Sequence, residues 1–367
     1  MIRLARASGC HVAVNGPDAS DNPAAYFAAG AQAVIEGEGE TPLLRIAELW
    51  SCGDTDLRQI PGLVLPDTGT TGPHRAQRHL DALPLPAWDL LDVASYRRAW
   101  GGELSWSIAA SRGCPYACNW CAKPTFGRRY TVRSPHNVVE EMAALKRDIA
   151  PAHLWFTDDI LGLDPEWIDA FAAEVERHDA RVPFSMQTRV NLITPRVAAG
   201  LARAGATEVW LGVESGSQRI LDAMDKGTKV EGARTATRLL RQEGIRVCWF
   251  IQLGYPSEEW DDIVATRDLI RDELPDDIGV SVAYPLPGTV FYDRVRAQLG
   301  AQRNWHDTGD LAMLFQGTYE TGFYRRIRDL LHREVETGKA HMLAWEVLER
   351  EAHRWRSPAP MCLVAGS

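Results

Sequence analysis

SWSIAASRGCPYACNWCAKPTFGRRY, residues 105–130, opens as a β-strand and runs into a loop holding Cys114, Cys118 and Cys121. Gly113 and Pro115 break helix there. Three thiolates at Cys-x3-Cys-x2-Cys spacing can ligate three corners of one cubane iron–sulfur cluster. With seven cysteines in 367 residues, the spacing arises by chance about 0.003 times, so it is a strong signal. A structural zinc site is the competing reading. It calls for four protein ligands, usually as two pairs, and no second pair follows; the nearest histidine, His136, stands at a helix start.

Outward from this loop, residues Ser105 to Leu299 alternate β-rich runs with helical stretches in six units. The strand candidates are Ser105–Ser111, His153–Asp159, Pro183–Arg189, Glu208–Ser215, Arg246–Gly254 and Asp277–Pro285. Ser134-Pro135, Asp164-Pro165 and Thr194-Pro195 mark helix starts, because proline fits the first helical position. That rhythm builds a parallel sheet with outer helices, and six repeats make a partial (β/α)6 barrel. Such barrels work at the C-terminal ends of their strands. Asp158, Asp159, Gln187, Arg189, Glu214, Ser215 and the loop after Gly254 fall there. Asp158 and Asp159 have two readings: binding substrate or cofactor, or capping the following loop. Cys248 lies in an apolar strand and reads as a core thiol.

Residues 10–50 look like two further βα units, HVAVNG and then AQAVIEGEGE leading into a helix over 41–49. Residues 51–102 are rich in Gly, Pro and Asp and read as a linker. Beyond Arg303 the pattern is helical, with a frayed tail after Pro358.

Composition narrows the function. Hydrophobic residues make up 45% of the chain, enough for a large core. A net charge of −9 with no basic run speaks against nucleic acid. The longest apolar runs, such as Val247 to Gly254, fall well short of the roughly 18 to 20 residues of a membrane span. MIRLARASGC lacks a signal-peptide core, which places the chain in the cytoplasm. The odd, clustered cysteines suit a metal site in a reducing compartment.

A cluster iron left without a protein ligand can chelate the amino and carboxylate groups of a small molecule. One electron passed into a sulfonium C–S bond breaks it to a 5′-deoxyadenosyl radical. The cysteine motif, its place after strand one and the six-unit layout resemble the radical S-adenosylmethionine superfamily over Ser105 to Leu299. GEGETPLL (37–44), IPGLV (60–64), LPLPAWDLLD (83–92), FTDD (156–159), LGVESGSQRILDAMDKG (211–227) and YPLPGT (284–289) resemble its cobalamin-binding branch. The resemblance implies that Cys114, Cys118 and Cys121 hold a [4Fe–4S] cluster. It puts Trp120 near the adenine of S-adenosylmethionine, Glu214 and Ser215 at its methionine or ribose part, and Arg189 at its carboxylate. Gly254 and Glu258 fall in the adenine-supporting turn, with Glu258 one place later than the commonest pattern. Structural roles compete at each: Trp120 shielding the cluster, Arg189 in a salt bridge.

In this reading residues 1–50 are the last part of a doubly wound cobalamin-binding domain, 51–102 the linker, 103–300 the radical core and 301–367 a helical region. Asn15, Gly16, Pro17 and Asp18 replace the usual Gly-Gly-Pro-His, and the first three strands and the Asp-x-His-x-x-Gly cobalt motif are missing. The expectation is a start codon lying upstream of a truncated reading, with degeneration of the domain as the rival explanation. The chain as written then binds cobalamin poorly, because half a sheet exposes strand edges. The resemblance implies a C- or P-methyltransferase in small-molecule natural-product biosynthesis, with a reductant such as flavodoxin or ferredoxin. A radical cyclase or oxidase of the anaerobic tetrapyrrole type is the second reading. Transfer RNA methylthiolation fits less well, and a non-catalytic iron–sulfur or zinc protein is the reading outside enzymes.

Overall fold

The computed structural model describes residues 1–73, 76–123, 125–300, 309 and 311–355. Two compact units divide the chain: Met1–Ala117 with Cys121–Leu161 and Arg177–Val182, and Cys118–Trp120 with Gly162–Glu176 and Pro183–Ser367.

In the first unit, β1 (Ala13–Asn15) and β2 (Ala33–Ile35) pair in parallel. Short helices Pro17–Asp21 and Pro23–Ala28 follow β1, and helix Glu40–Ser51 follows β2. These are the two expected βα units. Within the stretch read as a linker, β3 (Leu63–Leu65) pairs antiparallel with β2, and β4 (Gly69–Thr70) with β3. The reason is burial: in IPGLVLP, Leu63 and Leu65 alternate into an apolar cluster with Ile35, Ile46, Leu57 and Ile60. The linker thus extends the N-terminal sheet.

The same unit carries β5 (Ser105–Ile108), the small antiparallel pair β6 (Ser111–Arg112) and β7 (Thr131–Val132), and β8 (His153–Phe156). The expected first strand therefore ends at Ile108, and Ser111 starts a separate ladder that begins the cysteine loop.

The second unit carries β9 (Phe184–Arg189), β10 (Ala206–Glu214), β11 (Arg246–Leu253) and β12 (Asp277–Val282), paired in parallel in that order. In the first unit β5 and β8 also pair in parallel, so each unit carries part of the expected six parallel strands. Helices separate successive strands and start where proline marked them. Ser134 Oγ accepts from Asn137 N–H at 3.1 Å to cap helix Pro135–Asp148, and Thr194 Oγ1 accepts from Val197 N–H at 3.2 Å to cap helix Pro195–Ala204. Cys248 is fully buried, as a core thiol should be, and burial pushes its pKa up.

Helices Thr321–Thr337 and Met342–Arg354 make the expected helical C-terminal region. Glu334 joins them, accepting from Arg271 at 2.7 Å and from the Trp345 indole at 2.9 Å. Trp305, Cys362 and the tail after Pro358 lie outside the described residues.

Candidate functional site

Within the first unit, the lead-in to the cysteine loop is rigid. Gly113 has φ +76°, and a Cβ there would lie 2.0 Å from the Arg129 carbonyl oxygen, so only glycine fits. Asp158, just past β8, accepts from Ala110 N–H at 3.1 Å and from the Ser111 hydroxyl. Burial raises its pKa to about 6 against the pull of those hydrogen bonds. Burial also raises that of Asp159, opposed by the Gly113 N–H and the charge of Lys123. Both carboxylates of FTDD thus accept from the chain leading into the cysteine loop rather than from the loop that follows them. The buried Lys123 ammonium donates to the Tyr116 carbonyl. Cys114 is buried here and Cys121 half-buried.

The second unit holds Cys118, Asn119 and Trp120 together with every other expected site residue. Asn119 anchors the loop: its N–H donates to Met224 O at 3.0 Å, its side-chain amide donates to Ala223 O and to Asp225 Oδ2 at 2.8 Å each, and its Oδ1 accepts from Tyr255 O–H at 2.8 Å. Buried Arg189, ending β9, donates from Nη1 to Cys118 Sγ at 3.2 Å, from Nε to Asn191 Oδ1 at 3.1 Å, and from Nη2 to the Lys226 carbonyl.

Glu214, ending β10 with φ +66°, is buried and accepts from Lys226 Nζ at 2.6 Å. The Lys226 ammonium also lies 6.0 Å from the centre of a Trp120 ring. The indole Nε1 of Trp120 is enclosed with no hydrogen-bond partner among the described residues. Ser215 is held locally, its hydroxyl 3.2 Å from Thr266 Oγ1 and accepting from Ser217 N–H at 3.1 Å, which leaves one acceptor site on its oxygen.

Gly254, with φ +73°, donates its N–H to Glu258 Oε2 at 2.7 Å. Glu258 is 0% exposed, and burial, helped by the charge of Asp262, raises its pKa to about 8 against the pull of the Gly254 N–H and Arg219. It therefore carries a proton at neutral pH and braces the turn from inside. In the structure Glu258 is internal support for the turn after β11.

Sequence reasoning gave no role to Asn119 or Lys226. For Lys226 a signal existed: a carboxylate ending a buried strand needs a cation, and Lys226 lies in the same motif as Glu214. For Asn119 no local signal exists, because its partners stand 104 to 136 residues away.

Among the described residues no helix is long and apolar enough to cross a membrane. Residues 108–270 match the family model of the radical SAM superfamily. An uncharacterized methyltransferase of Pyrococcus horikoshii is 27% identical over 74% of this chain and 60% of its own length. The anaerobic magnesium-protoporphyrin IX monomethyl ester cyclase of Cereibacter sphaeroides is 25% identical over 72% of this chain and 45% of its own. The chain thus spans about half the length of such curated relatives. The radical S-adenosylmethionine methyltransferase TsrM of Kitasatospora setae, solved with cobalamin and a [4Fe–4S] cluster, superposes with a TM-score of 0.65 at 23% identity, over 80% of this chain and 59% of that one. The matched span takes in the cysteine loop, its two supporting carboxylates and strands β8 to β11, so residues 108–270 of this chain are a radical SAM domain.

Proposed function

We propose that this chain is the radical core of a cobalamin-dependent S-adenosylmethionine methyltransferase acting on carbon or phosphorus of a small molecule in natural-product biosynthesis. Residues 103–300 are its core, 301–367 a helical region, 1–50 the C-terminal part of a cobalamin-binding-like domain and 51–102 a linker. The observation that carries the reading is the cysteine loop: thiolate ligands at cubane spacing, with a guanidinium N–H already directed at Cys118 Sγ at 3.2 Å.

The residues fit the implied groups. Cys114, Cys118 and Cys121 offer a donor set of sulfur alone. The enclosed, unpartnered Trp120 N–H is a donor that an acceptor on a bound cofactor would satisfy. Bound there, a [4Fe–4S] cluster supplies the electron that cleaves S-adenosylmethionine to a radical, and cobalamin supplies the methyl group.

Trp120, Glu214 and Ser215 receive the adenosine and methionine parts. Glu214 holds Lys226 as a buried cation that a cofactor carboxylate can share. Arg189, the cation expected at that carboxylate, already has donors engaged by Cys118, Asn191 and Lys226. Gly254 and Glu258 fix the turn after β11. The setting is a reducing cytoplasm with a low-potential donor such as flavodoxin or ferredoxin.

Anaerobic reconstitution with iron and sulfide tests the proposal. A low-spin iron signal that changes on adding S-adenosylmethionine, followed by 5′-deoxyadenosine, is the expected result. Alanine at Cys114, Cys118 or Cys121 abolishes both; 5′-deoxyadenosine that persists in those variants refutes the site. The second reading, a radical cyclase, draws on the cyclase relative. Product mass separates the two: gain of one methyl supports the first, loss of hydrogen or gain of oxygen the second.

A further inference from the structure

The geometry points to Arg189 as the residue that sets the reduction potential of the cluster through a hydrogen bond to Cys118. This rests on the proposed [4Fe–4S] site and adds a role for a residue expected at the cofactor carboxylate or in a salt bridge.

Arg189 is 6% exposed. A guanidinium is a rigid fork of five N–H donors that keeps its charge at every working pH. Here three nitrogens are held by three different partners: Nε by Asn191 Oδ1, Nη2 by the Lys226 carbonyl and Nη1 by Cys118 Sγ. The first two leave the fork little freedom to rotate, so the N–H on Nη1 stays directed at the sulfur. The other buried cation nearby, Lys226, is matched by Glu214 at 2.6 Å. The charge of Arg189 therefore acts on Cys118 without an equal contribution from Lys226.

Hydrogen bonds to the sulfurs and local charge tune iron–sulfur potentials. Reduction adds one electron to the cluster, with no bond broken and no proton taken up. The added negative charge spreads onto the ligand sulfurs, where a charged N–H donor stabilises it more than the oxidised form. Arg189 thus raises the potential toward the range a physiological donor can reach. Because the guanidinium does not titrate, the effect is independent of pH.

The test uses the full chain reconstituted anaerobically, without S-adenosylmethionine, titrated with titanium(III) citrate and followed by the low-spin signal of the reduced cluster. Arg189→Gln is expected to retain iron and to lower the reduced-to-oxidised ratio at the wild-type midpoint about tenfold, which is about 59 mV for a one-electron couple. Arg189→Lys, which keeps charge but loses the fork, is expected to fall between. An unchanged midpoint in an iron-loaded Arg189→Gln protein overturns the inference. If Arg189→Gln does not hold iron, Arg189→Lys decides: a midpoint equal to wild type overturns the inference, a lower one supports it. Failure of the wild type to load a cluster refutes instead the cluster site on which the inference rests.

Discussion

Replacing Glu258 by glutamine should remove a pH dependence of stability that its burial, helped by the charge of Asp262, creates. The carboxyl is 0% exposed, and burial raises its pKa from the ordinary 4.5 to about 8. A carboxyl raised in this way contributes stability fully present below the unfolded value of 4.5 and lost as pH rises through about 8, because the unfolded chain releases its proton first. At 1.36 kcal/mol per unit the whole effect reaches at most about 5 kcal/mol, of which about 2 kcal/mol falls between pH 6 and pH 8. Glutamine keeps an acceptor for the Gly254 N–H and has no proton to lose. Urea unfolding of both proteins at pH 6 and pH 8, followed by tryptophan fluorescence, measures the difference. The expected result is that Glu258→Gln gains about 2 kcal/mol on wild type over that interval. Asp158, raised to about 6 in both proteins, cancels in the comparison. A stability difference equal at the two pH values would refute the reasoning, since Glu258 would then ionise as an ordinary carboxylate.

Gly113→Ala puts a Cβ 2.0 Å from the Arg129 carbonyl at φ +76°; a left-handed alanine costs about 1–2 kcal/mol before the clash is counted. Iron analysis after reconstitution should show most of the cluster lost, and full iron content would mean the loop lead-in can shift freely. Lys226→Met leaves the Glu214 carboxylate buried without its 2.6 Å partner and should destabilise by about 3–5 kcal/mol. Glu214→Gln combined with Lys226→Met should recover more than half of that loss. A single variant as stable as wild type in chemical denaturation would show that water reaches Glu214.

Much of the frame was legible because it obeys local rules. The cysteine spacing, the six alternating β-rich and helical runs, and the proline-marked starts at Pro135, Pro165 and Pro195 each depend on neighbours within a few residues. That the extended stretch IPGLVLP pairs with β2 was not legible, for the opposite reason. Leu63 and Leu65 join a sheet only because β2 offers an edge and an apolar cluster awaits them, neither of which is local.

The site divides along the same line. Which residues stand at strand ends followed from the alternation, so Arg189 and Glu214 were named from sequence. What they do there depends on partners far along the chain. Arg189 meets Cys118 across 71 residues, and the loop residue Asn119 meets Tyr255 across 136. Glu258 carries a proton because packing excludes water from it, a property of the folded interior that its sequence neighbours do not encode. The sequence by itself determined the strand–helix rhythm and the sulfur donors, since periodicity and spacing are local. Only the tertiary structure decided how the charges around those sulfurs pair, because pairing depends on distances that the sheet sets once its strands have found their register.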